Sequence, residues 1–290
     1  MPKHVLCSFA SPDLKLSALR FKRQAEEMNI YDSIKIFGYQ DLDNDFKKYV
    51  SELISRGKKK GYGYWVWQTF CHKKILSEIN YDDLYHWCDI GCHLNVSGIF
   101  RLKEYFRIVK ENDKGILAFQ YKNPDFIEKF NGYKFPNYME YEYTKSDLIK
   151  FFNLNFDSPI INSPQIWGGS FFIRKCKESM ELLDEHFDIT RNRFDLIDDD
   201  EEKFLERKHP NFIQHRHSQS VLSILIKKLN VDNLSAYECE WALDEKGNRT
   251  FSHIVNYPIN AKRDKKKNFF LRFISRQKKN FLRLKNFFNN

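Results

Sequence analysis

One aspartate stands where chemistry is possible: Trp87-Cys88-Asp89-Ile90-Gly91, at the end of an apolar run. A carboxylate leaving a buried strand can hold Mg2+ or Mn2+, and such an ion neutralises a diphosphate. Gly91, two residues on, lets the backbone approach a ligand closely. A second stretch, Lys60-Gly61-Tyr62-Gly63-Tyr64-Trp65-Val66-Trp67, sets two glycines among four aromatics. Its rings can stack on a nucleotide, with Lys60 near phosphate; read as packing alone, Trp65 and Trp67 are core. Neither a Walker-type phosphate loop nor a dinucleotide fingerprint occurs. The third stretch, Gln214-His215-Arg216-His217-Ser218-Gln219-Ser220, gathers polar side chains at a helix start, where anions are favoured. Arg216 is a cation suited to phosphate there, and His217 or Asp147 can take a proton from an acceptor hydroxyl.

Three further segments carry weaker signals. Asn162 to Ser170 leads into a strand, and Gly168-Gly169 leaves room for a hydroxylated substrate. Asp198-Asp199-Asp200 reads as a solvated loop, and Asp41-Leu42-Asp43 as a helix cap. Cys88, Cys92 and His93 can be drawn as metal ligands, yet no second ligand pair has zinc-site spacing.

The elements that must position these residues follow from apolar spacing. Val5 to Phe9, Ser33 to Phe37, Asp83 to Cys88 and Ile116 to Phe119 read as strands, and Ser170 to Ile173 as another. Ser11-Pro12 opens a helix to about Asn29. Phe46, Tyr49, Val50, Leu53 and Ile54 mark a helix over Asp43 to Arg56. Further helices are expected from Trp65 to Ile79, Ser97 to Lys110, Thr144 to Phe152 (with Thr144-x-x-Asp147 as a capping box), Cys176 to Phe187 and Ser218 to Leu229. Asn123 to Tyr143 reads as a long loop or short irregular pieces. Strand-helix alternation predicts an α/β fold, a mainly parallel sheet with helices on both faces. Such sheets bind ligands at the carboxyl ends of their strands, where Asp89 is placed.

The 290 residues carry a net charge of +9, and its location matters more than its size. Lys262 to Asn290 holds eleven Lys or Arg and one acidic residue, or +10, which leaves −1 on the rest. A neutral body argues against a body-wide nucleic-acid surface. The tail interleaves Phe and Leu with Lys and Arg, and Phe270, Phe273, Ile274, Phe281, Leu284 and Phe288 fall near one helical face. A basic amphipathic helix of this kind lies in a membrane interface, so residues 262–288 are expected to meet an anionic lipid surface. The expected division is a domain over 1–258 and a tail over 259–290. With no secretory signal and no apolar run of about 18 residues, a cytoplasmic protein on the inner face of the membrane is expected.

Together these motifs resemble a family of bacterial surface-polysaccharide glycosyltransferases of GT-A type. The likeness is one of motif order over roughly residues 3 to 257. It rests on the Arg20 helix, Lys60-Gly61-Tyr62-Gly63-Tyr64-Trp65, Asp89-Ile90-Gly91, Thr144-Lys145-Ser146-Asp147, Gln165 with Gly168-Gly169, and His215 to Ser220. The resemblance implies an Asp-x-Gly in place of the usual Asp-x-Asp metal motif. It implies donor contacts near Phe9, Ala10, Arg20, Tyr62 and Trp65, and an acceptor near Gln165, Gly168 and His217, beside Gly169 and Gln219. The implied reaction moves a sugar from a nucleotide sugar, UDP-linked, to a glycan or lipid-linked acceptor in capsule, lipooligosaccharide or O-antigen synthesis. Two departures stand out: Gln68-Thr69 where similar proteins have Lys-Pro, and Ser218 where they have Asp. The second favours an alternative reading, a catalytically inactive nucleotide-, glycan- or RNA-binding peripheral membrane protein.

Overall fold

The computed structural model describes residues 2–124, 133–199 and 209–262. β1 (His4–Phe9) is apolar or small at nearly every position because both of its faces are covered. Successive side chains point to opposite faces, so Val5, Cys7 and Phe9 enter one apolar layer and Leu6 the other. The chain continues through α1 (Lys15–Met28), β2 (Ser33–Phe37), α2 (Asn44–Ser55), a single turn α3 (Gly61–Tyr64) and α4 (Val66–Glu78). Then come β3 (Leu84–Cys88), β4 (His93–Leu94), α5 (Ile99–Glu111) and β5 (Ile116–Gln120). The second half holds α6 (Glu140–Tyr143), α7 (Ser146–Phe151), β6 (Ile166–Arg174), α8 (Lys177–Asn192) and α9 (Ser218–Lys228). Short strands β7 (Leu234–Ser235), β8 (Ala242–Leu243), β9 (Arg249–Thr250) and β10 (Ile259–Asn260) follow.

The main sheet runs β2-β1-β3-β6-β5-β7. β1 pairs parallel with β2 and β3, and β5 parallel with β7; β6 alone runs antiparallel to its neighbours β3 and β5. The expected mainly parallel α/β sheet is therefore present, with one reversed strand inside it. α2, α4, α8 and α9 contribute the apolar layer on one face, and α1 and α5 the layer on the other. α2 starts as its sequence indicates: the Asp43 carboxylate accepts from the Phe46 amide at 2.7 Å.

Several boundaries move. β6 starts at Ile166 rather than Ser170, so Gly168 and Gly169 lie in the strand and not in a loop before it. α8 runs to Asn192, five residues past the expected end, because Ile189 and Thr190 are still buried. The capping box at Thr144 does not form: its hydroxyl donates to Glu140 at 2.5 Å, and Lys145 is the residue before α7. The folded body also passes the expected boundary at 258. Ile259 and Asn260 pair with Leu94 and His93, and the Ala261 amide donates to Cys239. Among the described residues, no helix is long and apolar enough to cross a membrane. Apart from Lys262, the basic stretch 262–288 lies outside the described residues, as does Asp200.

Candidate active site

Strands β2, β1, β3 and β5 end at the sheet's carboxyl edge, and the reversed β6 begins there. Cys88 ends β3 opposite Ser170, and the next amide, Asp89, donates to the Gly169 carbonyl at 2.8 Å. The Asp89 carbonyl in turn accepts from Cys92, closing the Asp89-Ile90-Gly91 turn. From α1, Arg20 donates to the Ile90 carbonyl at 2.8 Å. Arg20 is buried, so it braces this turn from beneath and is a positioning residue. Asp89 and Gly91 are both half-exposed at the edge.

Beside β1 the chain makes an uncommon move. Gly61, Tyr62, Gly63, Tyr64 and Trp65 all have positive φ, between 56° and 90°. Tyr64 and Trp65 donate to the carbonyls of Lys60 and Gly61, so α3 is one turn of left-handed helix. Glycine adopts this conformation readily, but each L side chain there costs roughly 1–2 kcal/mol. The surroundings hold it. The Trp67 indole donates to the Gly61 carbonyl at 2.9 Å, the Tyr64 hydroxyl donates to Asp199 at 3.0 Å, and Trp65 stacks on His217. The turn sets Tyr62 against Phe9 and edge-on to Tyr39, with Trp67 stacked on Phe9 at 4.0 Å. Burial, then Tyr39 and Asp13, push the Tyr62 phenol upward. Phe9 and Trp67 are core, whereas Ala10, Tyr39 and Tyr62 keep partly open surfaces.

His217 is strained as well, with φ 56° and ψ −131° just before α9. Its Nδ1 donates to the Ile197 carbonyl at 2.7 Å, which leaves the Nε2 lone pair 3.6 Å from Asp199. At 2% exposure His217 faces no open cleft; its ring supports Tyr64 and Trp65. In this arrangement its ring nitrogens face the Ile197 carbonyl and Asp199. Asp147, the other expected base, sits in the first turn of α7 with Arg193 among its charge neighbours. Lys60 pairs with Asp199 at 3.3 Å.

Asp198 is the main surprise of this region. Expected in a solvated loop, it is 6% exposed and paired with Lys145 at 3.1 Å and Lys58 at 3.7 Å. Lys145 is buried too and caps the carbonyls of Asp195 and Asp198. A run of aspartates normally signals solvent. The cue to the contrary was the Lys58-Lys59-Lys60 run that answers it.

The substrate-facing glycines turn out to serve packing. A Cβ on Gly168 would lie 3.1 Å from Gln219, and one on Gly169 would lie 2.4 Å from the Trp167 ring. The space beside them is filled by the Gln219 and Trp167 side chains. Gln165 is fully buried. Its amide nitrogen donates to Glu140 and Ser220, and its carbonyl accepts from Gln219 at 2.8 Å. It therefore orients Gln219, which stays partly open. The two departures are also accounted for. Gln68 donates to the Gly168 carbonyl, and the Ser218 hydroxyl meets His186 Nε2 at 2.9 Å inside the core.

At the end of β5 lies a group the sequence reading missed. Tyr121, Tyr138 and Tyr143 surround the Arg216 guanidinium at 5.2, 4.5 and 3.9 Å. The Tyr121 hydroxyl donates to buried Glu240 at 3.3 Å. These tyrosines lie up to 95 residues from Arg216 in sequence, and no local spacing links them.

Buried histidines give the protein a definite acid response. Burial pushes His86 down to about 3 and His186 and His217 down to about 4. Folded values below the unfolded 6.5 mean the unfolded chain binds more protons between pH 4 and 6.5. Stability is therefore complete above pH 6.5 and falls as pH drops toward 4, by up to about 1.4 kcal/mol per pH unit for each such group. Urea midpoints measured from pH 7.5 to 4.5 should decline through this window; a flat profile would contradict neutral burial.

No protein-family model matches the chain, and no curated protein matches it in sequence. Solved structures do align with its backbone. One is a glycosyltransferase involved in glycosylation of the major capsid of PBCV-1, at 10% identity and TM-score 0.35, over 89% of this chain and 92% of that one. A second is mouse xyloside xylosyltransferase 1 without ligand, at 11% identity and TM-score 0.42, over 83% and 87%. A third is the galactosyltransferase LgtC in complex with donor and acceptor sugar analogs, at 9% identity and TM-score 0.37, over 82% and 75%.

Proposed function

We propose that this chain is a glycosyltransferase of GT-A type that moves a sugar from a nucleotide sugar to a glycan or lipid-linked acceptor. One observation carries the reading: the edge residues follow the strand order as a donor and acceptor laid end to end require. Tyr39 follows β2, Ala10 and Asp13 follow β1, the Asp89 turn follows β3, Gln219 reaches β6, and the tyrosine group follows β5. Four strand spacings make this row about 19 Å long. Its first part offers an aromatic ring, Tyr62, for a base and a carboxylate, Asp13, for ribose hydroxyls. The centre offers Asp89 and the amides of its turn for a diphosphate, and the far part offers aromatic faces for a sugar ring.

Among the described residues, no three His, Cys, Asp or Glu side chains group to hold a metal ion. A single carboxylate still suits Mg2+ or Mn2+, which take one or two carboxylates together with substrate phosphates. Asp89 would hold such an ion only with the donor present, and the ion would neutralise the departing diphosphate. Arg20 and the Gly169 carbonyl keep Asp89 in place for that purpose, and Tyr62 orients the nucleoside. Placement at the cytoplasmic face of a bacterial membrane, held by the basic tail at 262–288, fits the charge pattern and a lipid-linked acceptor; capsule, lipooligosaccharide or O-antigen synthesis is the proposed setting, with a UDP-linked donor.

A thermal-shift screen of the full chain against nucleoside diphosphates and nucleotide sugars tests this, with and without Mn2+. A hundredfold excess over Kd should stabilise by about 2.7 kcal/mol. Mn2+ alone should shift little, and Mn2+ should sharpen the nucleotide effect. No response to any nucleotide at millimolar concentration would overturn the proposal.

A further inference from the structure

Arg216 is a half-buried cation with an unusual set of neighbours. Three tyrosine faces surround it. Among the described residues no carboxylate lies within ion-pairing distance of it. Aromatic faces attract a guanidinium and hold it flat, but they leave most of the N–H groups in its plane unspent. A planar fork held rigid in this way is suited to bidentate recognition of an oxyanion. Its backbone is fixed too: the Arg216 amide donates to the Tyr143 carbonyl at 3.0 Å. A second cation, Arg249, lies over Trp241 at 4.1 Å and acts on the same Tyr138. Of the acids acting on these tyrosines, Glu240 is engaged by the Tyr121 hydroxyl and Glu142 by the Met139 amide.

Position decides what the oxyanion belongs to. Arg216 sits at the end of β5, separated from the Asp89 strand by β6, a lateral offset of about 10 Å. A donor diphosphate held at Asp89 would therefore lie two strands away from it, whereas an acceptor beyond the diphosphate would lie closer. We infer that Arg216 and its tyrosine cage form an anion-recognition subsite for the acceptor, which carries a carboxylate or phosphate close to its sugar ring. This rests on the glycosyltransferase reading for the word acceptor, but the binding chemistry stands apart from it.

Calorimetric titration of the full chain with methyl β-glucuronide, glucose 6-phosphate and uncharged methyl β-glucoside tests the assignment. At least one anionic probe should bind about tenfold more tightly than the glucoside, and the stronger of the two identifies the anion. Arg216→Gln should abolish that preference. Arg216→Lys should retain part of it, since it keeps the charge and loses the fork, and it serves if the glutamine variant unfolds. Both variants should keep the wild-type affinity for nucleoside diphosphate. Equal binding of all three probes, or a preference that survives Arg216→Gln, would overturn the inference. So would a loss confined to nucleoside diphosphate, which would return Arg216 to the donor. Absence of nucleotide binding together with an Arg216-dependent anion preference would instead sink the transferase reading and leave the subsite standing.

Discussion

Asp89→Ala is expected to cut sugar transfer, or hydrolysis of the nucleotide sugar, by about a thousandfold, the scale of losing one oriented charge at a reacting centre. The fold should survive. The Asp89 side chain is half-exposed, and the contact tying this turn to β6 is made by its backbone amide, which alanine retains. A thermal midpoint within about 2 °C of wild type is therefore expected alongside the lost activity, since such a change corresponds to about 1 kcal/mol. The Mn2+ dependence of nucleotide binding should vanish in the same variant. Wild-type turnover by Asp89→Ala would remove this carboxylate from the mechanism.

Lys227→Met should produce the largest loss of stability. Glu140 is fully buried and accepts from Lys227 at 2.7 Å, Ser223 and Thr144 at 2.5 Å, and Gln165 at 3.0 Å. Lys227 is itself 6% exposed at its side chain, and it caps the carbonyls of Ile160 and Ser163. Burial lowers its proton affinity and Glu140 restores part of it. Removing one member strands the other's charge in the core, a loss of about 3–5 kcal/mol. The double variant Glu140→Gln, Lys227→Met should recover most of that in urea unfolding, because neither charge then remains. A single-variant loss below about 1 kcal/mol would show that the pair is not buried as described. Gln219 hangs from this network through Gln165, so the single variant should also weaken substrate binding.

The strands that frame the site were legible because burial on both faces writes itself as a continuous apolar run. β1, β2 and β3 were placed to within a residue or two, and with them Asp89 at a strand end. β6 was clipped because glycines at 168 and 169 imitate a loop; only the Trp167 ring above Gly169 reveals why a strand needs them. Side-chain roles were less legible. Gln165, Arg20 and His217 carry the polar types that bind substrates, yet each is occupied by neighbours remote in sequence. Asp198 shows the reverse error, because its lysine partners come from two other segments. Local pattern records which face is apolar; it does not record which polar groups find each other across the fold.

The pairing of β10 with β4 also sets the length of a leash. Asn260 lies opposite His93, four residues beyond Asp89, and the described chain ends two residues later at exposed Lys262. From there Lys-Arg-Asp-Lys-Lys-Lys spans at most about 18 Å of extended backbone. A surface bound by those cations, as proposed for the tail, would then be held near the Asp89 turn. Short tethers of this kind correspond to local concentrations on the order of millimolar. If the tail docks on a membrane as proposed, an acceptor anchored in that surface would meet the Asp89 turn at such a raised concentration, and discrimination among acceptors would fall to the groups that touch the sugar.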